Sequence, residues 1–96
     1  MKIFFGETFL NRQDLVETAI CHLIKLKYYK ILEYKNNYGI EIVKEEYING
    51  IIKIETNQID LLTEDETKID KILSKILKFK VTPIGLDDTI VDMLKA

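Results

Sequence analysis

The spacing of apolar residues changes period twice along this chain. Leu15, Val16, Ala19, Ile20, Leu23 and Ile24 recur at helical spacing, leaving Glu17, Thr18, Cys21, His22 and Lys25 on the other side. Asn11 precedes them as an N-cap, Asp14 meets the positive end of the helix dipole, and Leu10 and Leu15 form a hydrophobic staple. A first helix is predicted over about 12–26. From Tyr28 the period becomes two, and Tyr, Ile and Val replace Leu and Ala as the main apolar types. Strands are therefore predicted over 28–35, 39–48 and 51–59, joined at Asn36-Asn37-Tyr38-Gly39 and at Asn49-Gly50. A two-residue type I′ turn at Asn49-Gly50 pairs Ile48 with Ile51, Glu46 with Lys53 and Lys44 with Glu55. That register puts Tyr47, Ile52 and Ile54 on one face and leaves Ile40 and Ile42 with the charged pairs. A bulge near Lys44-Glu45-Glu46 is expected to bring Ile40 and Ile42 back to the face of Tyr47.

The helical period returns after Thr63-Glu64-Asp65-Glu66, which has the form of a capping box with Thr63 as the cap. Ile69, Ile72, Leu73, Ile76 and Leu77 make one stripe, with Phe79 near its end, and Pro83 holds Thr82 extended and stops the run. Asp87 caps a short last helix to about Lys95, with Leu86 and Val91 as its staple. Ile3, Phe4, Phe5 and Phe9 follow no clear period, so Met1 to Phe9 is either a strand added to a sheet edge or a docking arm. The expected fold is a single α+β domain over 1–96: an N-terminal helix, a three-stranded antiparallel meander, a long covering helix and a short C-terminal helix.

Composition narrows the setting more than the activity. Ninety-six residues with 47% hydrophobic and 31% charged side chains make one soluble globular domain with an aliphatic core, since Ile recurs throughout and Trp is absent. A net charge of -2 gives no overall field toward nucleic acid or an anionic membrane. The single cysteine, Cys21, excludes an intramolecular disulfide and points to a reducing compartment. No run approaches the roughly 20 apolar residues of a membrane-spanning helix. The expected location is the cytoplasm.

No candidate for chemistry stands out. Cys21 and His22 are neighbours, and adjacent side chains on a helix diverge by about 100 degrees, so they neither chelate a metal together nor form a nucleophile pair. Glu64, Asp65 and Glu66, and likewise Asp87 and Asp88, sit where helix starts favour carboxylates; a small hydrolase built from both clusters is the third reading of function. Lys68, Lys71, Lys75 and Lys78 form one helix face that Lys80 extends, the feature on which a nucleic-acid-binding alternative rests. Arginine is absent from that stripe, and no aromatic suited to stacking adjoins it. The tyrosines Tyr28, Tyr29, Tyr34, Tyr38 and Tyr47 are candidate anchors for a protein partner, because a three-stranded sheet leaves some of them toward solvent.

Tyr38-Gly39-Ile40-Glu41-Ile42, the Asn49-Gly50 hairpin and, above all, Val81-Thr82-Pro83-Ile84-Gly85-Leu86-Asp87-Asp88 resemble a small, uncharacterised bacterial protein family of unknown function. The resemblance covers about the last sixty residues. It implies a cytoplasmic bacterial origin and supplies no catalytic residues. The leading expectation is a non-enzymatic regulator or adaptor that binds another protein or a second copy of itself, with no cofactor, no metal and no membrane.

Overall fold

The computed structural model describes residues 1–10, 23–48 and 50–95. Four strands, β1 (Lys2–Leu10), β2 (Leu23–Leu32), β3 (Tyr38–Ile48) and β4 (Ile51–Thr63), form one antiparallel sheet in sequence order, and two helices follow, α1 (Glu66–Lys78) and α2 (Leu86–Lys95). The α+β class is as expected; the described residues hold four strands where three were expected, together with the long and the short C-terminal helix.

The extra strand is the Phe-rich N-terminus, which pairs along the free side of β2, from Lys2 opposite Ile31 to Leu10 opposite Ile24. The predicted helix over 12–26 is corrected at its C-terminal end: Leu23 to Leu26 belong to β2, and residues 12–22 lie outside the described residues. Leu23 and Ile24 satisfy a helical and an alternating period equally well. Ile24, Leu26 and Tyr28 decide between them, because all three are buried on one face while Lys25 and Lys27 point to the other.

The Asn49-Gly50 hairpin keeps its predicted register, with Ile48 opposite Ile51, Glu46 opposite Lys53 and Lys44 opposite Glu55. The expected bulge at Lys44-Glu45-Glu46 is not there; pairing runs without a break from Ile48 to Ile40. Ile40 and Ile42 do share a face with Lys44 and Glu46, and they are buried because that face is covered by the helices where the isoleucines lie. The register shifts instead between Tyr38 and Ile40, where Gly39 lies against the Ile59 backbone and Leu61 takes a left-handed φ of 52°. A Cβ at position 39 would overlap the Ile59 carbonyl oxygen, so a glycine is required there. A second shift falls between Phe4 and Gly6 in β1.

Between β2 and β3 the chain turns through a 3-10 segment, Tyr34–Asn36, with Lys35 and Asn36 both at positive φ. The core then joins Leu26, Tyr28, Ile40 and Ile42 of the sheet to Ile69, Ile72, Leu73 and Ile76 of α1 and to Leu86 and Ile90 of α2. The predicted stripe of α1 is thus buried, except that Leu77 packs at its margin.

Asp65, not Thr63, caps α1: its carboxylate accepts from the amides of Thr67 at 2.9 Å and Lys68 at 3.4 Å. The Thr63 hydroxyl oxygen instead accepts from the Asp65 amide, one step upstream. At the other end, Lys80 at φ 53° lets its amide reach Leu77 O and the Val81 amide reach Ile76 O, the paired bonds of a Schellman turn. The helix therefore ends before Pro83 acts. Lys30 ties α1 to β2 by reaching Glu66 at 2.8 Å and Asp70 at 3.0 Å, and the Glu66 hydrogen bond raises the lysine pKa. Among the described residues, no helix is long and apolar enough to cross a membrane.

Candidate functional site

Alternation along each strand gives the sheet a second face, opposite the helices. From edge to edge it carries Phe4 and Phe9 of β1, Leu23, Lys25, Lys27 and Tyr29 of β2, Glu41, Val43, Glu45 and Tyr47 of β3, and Ile52 and Ile54 of β4. The helices pack on the other side, and Phe4, Ile52 and Ile54 remain 52%, 53% and 58% exposed. Among the described residues no helix packs over this face, and this uncovered face is the candidate site.

Its polar groups are largely satisfied within the molecule. Lys2 reaches Glu41 at 2.9 Å and also lies 4.5 Å above the Tyr29 ring, whose edge meets Phe4 at 5.7 Å between centroids. Lys27 pairs with Glu45 at 3.3 Å, and the Tyr47 hydroxyl donates to the same carboxylate at 2.9 Å. Lys25 pairs with Glu7 at 3.3 Å and lies 5.5 Å from the Phe9 ring centre. The hydrogen bonds to Glu41 and Glu45 raise the pKa of Lys2 and Lys27, while the Tyr47 hydroxyl, ahead of Lys27, lowers that of Glu45. Aromatic and aliphatic side chains therefore lie among charges that already have partners, so a protein covering this face does not leave those charges unpaired.

The five tyrosines separate by face. Tyr29 and Tyr47 belong to the uncovered face. Tyr28 is fully buried under the helices and donates its hydroxyl hydrogen to Val81 O at 2.8 Å; burial pushes its pKa well above 10.0. It offers a partner no surface, because residue 28 has the same parity as Leu26. Tyr38 packs against the core beneath Lys30, and Tyr34 lies in the 3-10 turn with its side chain outside the described residues. Phe4, Phe9, Leu23, Ile52 and Ile54 are the members of the face that the tyrosine reading omitted. Their signal was available for β4, where Ile52 and Ile54 alternate out of phase with the paired charges.

The lysines of α1 form a separate surface. Lys68, Lys71 and Lys75 border a groove of about 180 Å³ floored by Ile72, Met93 and Leu94, and Lys78 lies 5.8 Å from the Phe79 ring centre. Cys21 and His22 lie outside the described residues. Among the described residues, no three His, Cys, Asp or Glu side chains gather in a way that would hold a metal ion.

Residues 8–96 match the family of unknown function DUF6514, so the chain belongs to that family. The match extends well beyond the C-terminal segments that carry the resemblance, taking in β2 and the end of β1. No curated protein and no solved structure matches the chain.

Proposed function

We propose that this protein is a non-enzymatic regulator or adaptor of the bacterial cytoplasm that works by binding another protein through the uncovered face of its sheet. The observation that carries the reading is the composition of that face. Phe4, Tyr29, Phe9, Leu23, Tyr47, Ile52 and Ile54 lie on one side of four adjacent strands, opposite the helices. Aromatic anchors among neutralised charges are the make-up of a contact surface whose partner need not be permanent.

A bait of the intact chain should retain a host protein that Phe4→Ala and Tyr29→Ala together release, while Lys71→Glu retains it. Equal retention by the face variant and the parent would refute the assignment. A second reading, binding of nucleic acid, is favoured by one observation: Lys68, Lys71 and Lys75 have no ion-pair partner among the described residues, whereas Lys2, Lys25, Lys27, Lys30 and Lys44 each have one. Retention on DNA or RNA that falls with salt and is lost in Lys71→Glu would support it.

A further inference from the structure

We infer that β4 is a self-complementary edge through which two copies of this chain join their sheets, Ile54 against Ile54 across a two-fold axis. The argument starts from the backbone. A pair that closes a two-residue hairpin exchanges both of its hydrogen bonds, and such pairs alternate along an antiparallel ladder. Ile51, Lys53, Glu55 and Asn57 therefore direct their amides and carbonyls to β3, and Ile52, Ile54 and Thr56 direct theirs away from the sheet. Gln58, next in the outward set, has its amide taken by Asn57 Oδ1 at 2.9 Å, which agrees with that alternation and bounds the free stretch. Unpaired edge groups flanked by exposed isoleucines are what a further strand recognises. The opposite edge, β1, is interrupted by its register shift at Phe5.

The side chains select the second copy of the chain as that strand. Antiparallel pairing centred on Ile54 sets Ile52 opposite Thr56 and Lys53 opposite Glu55, each twice because the contact is isologous. Lys53 and Glu55 then form the closer, non-hydrogen-bonded kind of pair, on the helix side of the joined sheet. Both groups have an unmet need. Lys53 has no ion-pair partner among the described residues, and the nearest cation to Glu55 is Lys44, 3.7 Å from an Oε2 that is buried without a hydrogen bond. One step further, Ile51 of the second copy falls opposite Asn57, beside a recess of about 300 Å³ lined by Glu55, Thr56, Asn57, Pro83 and Ile84. Ile51 and Ile84 are 69% and 82% exposed, and this pairing gives each an apolar neighbour. Three pairs of outward residues supply about six backbone hydrogen bonds. The product is an eight-stranded sheet with all helices on one side and the two uncovered faces made continuous.

Sedimentation of the intact chain from micromolar to several hundred micromolar tests this, independently of the partner-binding role assigned to the uncovered face. The parent is expected to move toward twice its monomer mass of 11.3 kDa as concentration rises. Lys53→Glu and Glu55→Lys, each checked for folding by circular dichroism, should each weaken association at least ten-fold. Mixing the two variants should restore it, because both cross-strand pairs of the mixed dimer again join a carboxylate to an ammonium group. In a Cys21→Ser background, Ile54→Cys should form an intermolecular disulfide on mild oxidation, since the paired Cα atoms are about 5.5 Å apart. Ile52→Cys should not, its two copies being separated by roughly 14 Å along the strands. A parent that stays monomeric throughout, association untouched by Lys53→Glu, or failure of the mixture to recover would overturn the inference. Association lost in Phe4→Ala/Tyr29→Ala but kept in Lys53→Glu would move self-contact to the uncovered face.

Discussion

Replacing Tyr28 with Phe tests the core and its link to the helix turn in one substitution. The ring is fully buried, and its hydroxyl donates at 2.8 Å to Val81 O, in the turn that ends α1. Phenylalanine keeps the packing and removes the donor, leaving a carbonyl oxygen without that partner at a cost of about 1–2 kcal/mol at neutral pH. For a domain of this size that is a fall in Tm of roughly 4–8 °C per kcal/mol. The same hydroxyl predicts a dependence on pH. Burial raises the folded-state pKa of Tyr28 well above 10.0. Below the unfolded value both states carry the proton and the stabilisation is whole. Above it the unfolded chain releases the proton while the native chain holds it, so stability falls by about 1.4 kcal/mol per pH unit until the folded pKa is reached. The phenylalanine variant lacks this loss, and contributions common to the two proteins cancel in the difference between them. Urea unfolding of the two proteins between pH 7 and pH 11.5 should show the parent ahead at neutral pH, level about one unit above pH 10, and behind beyond that. A difference that stays constant with pH, or equal stability at pH 7, would refute the reasoning.

Two further predictions concern the helix stripe and the close approach of the strands. Ile76→Ala should cost about 2–5 kcal/mol in a thermal or urea melt, and Lys75→Ala almost nothing, because Ile76 is fully buried beneath α1 and Lys75 is exposed. Gly39→Ala should cost more than about 2 kcal/mol and Gly6→Ala much less: an added methyl meets the Ile59 backbone in the first case and a movable Leu77 side chain at 3.0 Å in the second.

Much of this architecture is local, and local patterns carried it. The Ile48/Ile51 register, the buried face of α1 and the break between the helices all follow from residues within a few positions of one another. The capping box misplaced its cap by two residues because Thr63, Glu64 and Asp65 offer competing starts, and the choice of Asp65 depends on where β4 releases the chain. The strand starting at Leu23 was hidden for a related reason: a few apolar residues fit both periods until the face they bury is known.

The candidate face was legible only in fragments. Tyr47, Ile52 and Ile54 fell together in the sequence-derived register, but Phe4 and Phe9 joined them only because β1 pairs with β2, a contact between segments about 20 residues apart. Exposure is not a property of a tyrosine or an isoleucine. Tyr28 and Tyr29 are neighbours of the same type, and a shift of one residue puts one in the core and the other on the uncovered face. Most of the elements, the main hairpin register and the alternation of each strand are legible in the order of residues, because these depend on short-range spacing and turn chemistry. The choice of strand over docking arm for the N-terminal segment, and which face the helices cover, depend on contacts between distant segments, and with them which aromatic side chains remain exposed. A strand's pattern defines two sides and is the same whichever of them the rest of the chain comes to bury.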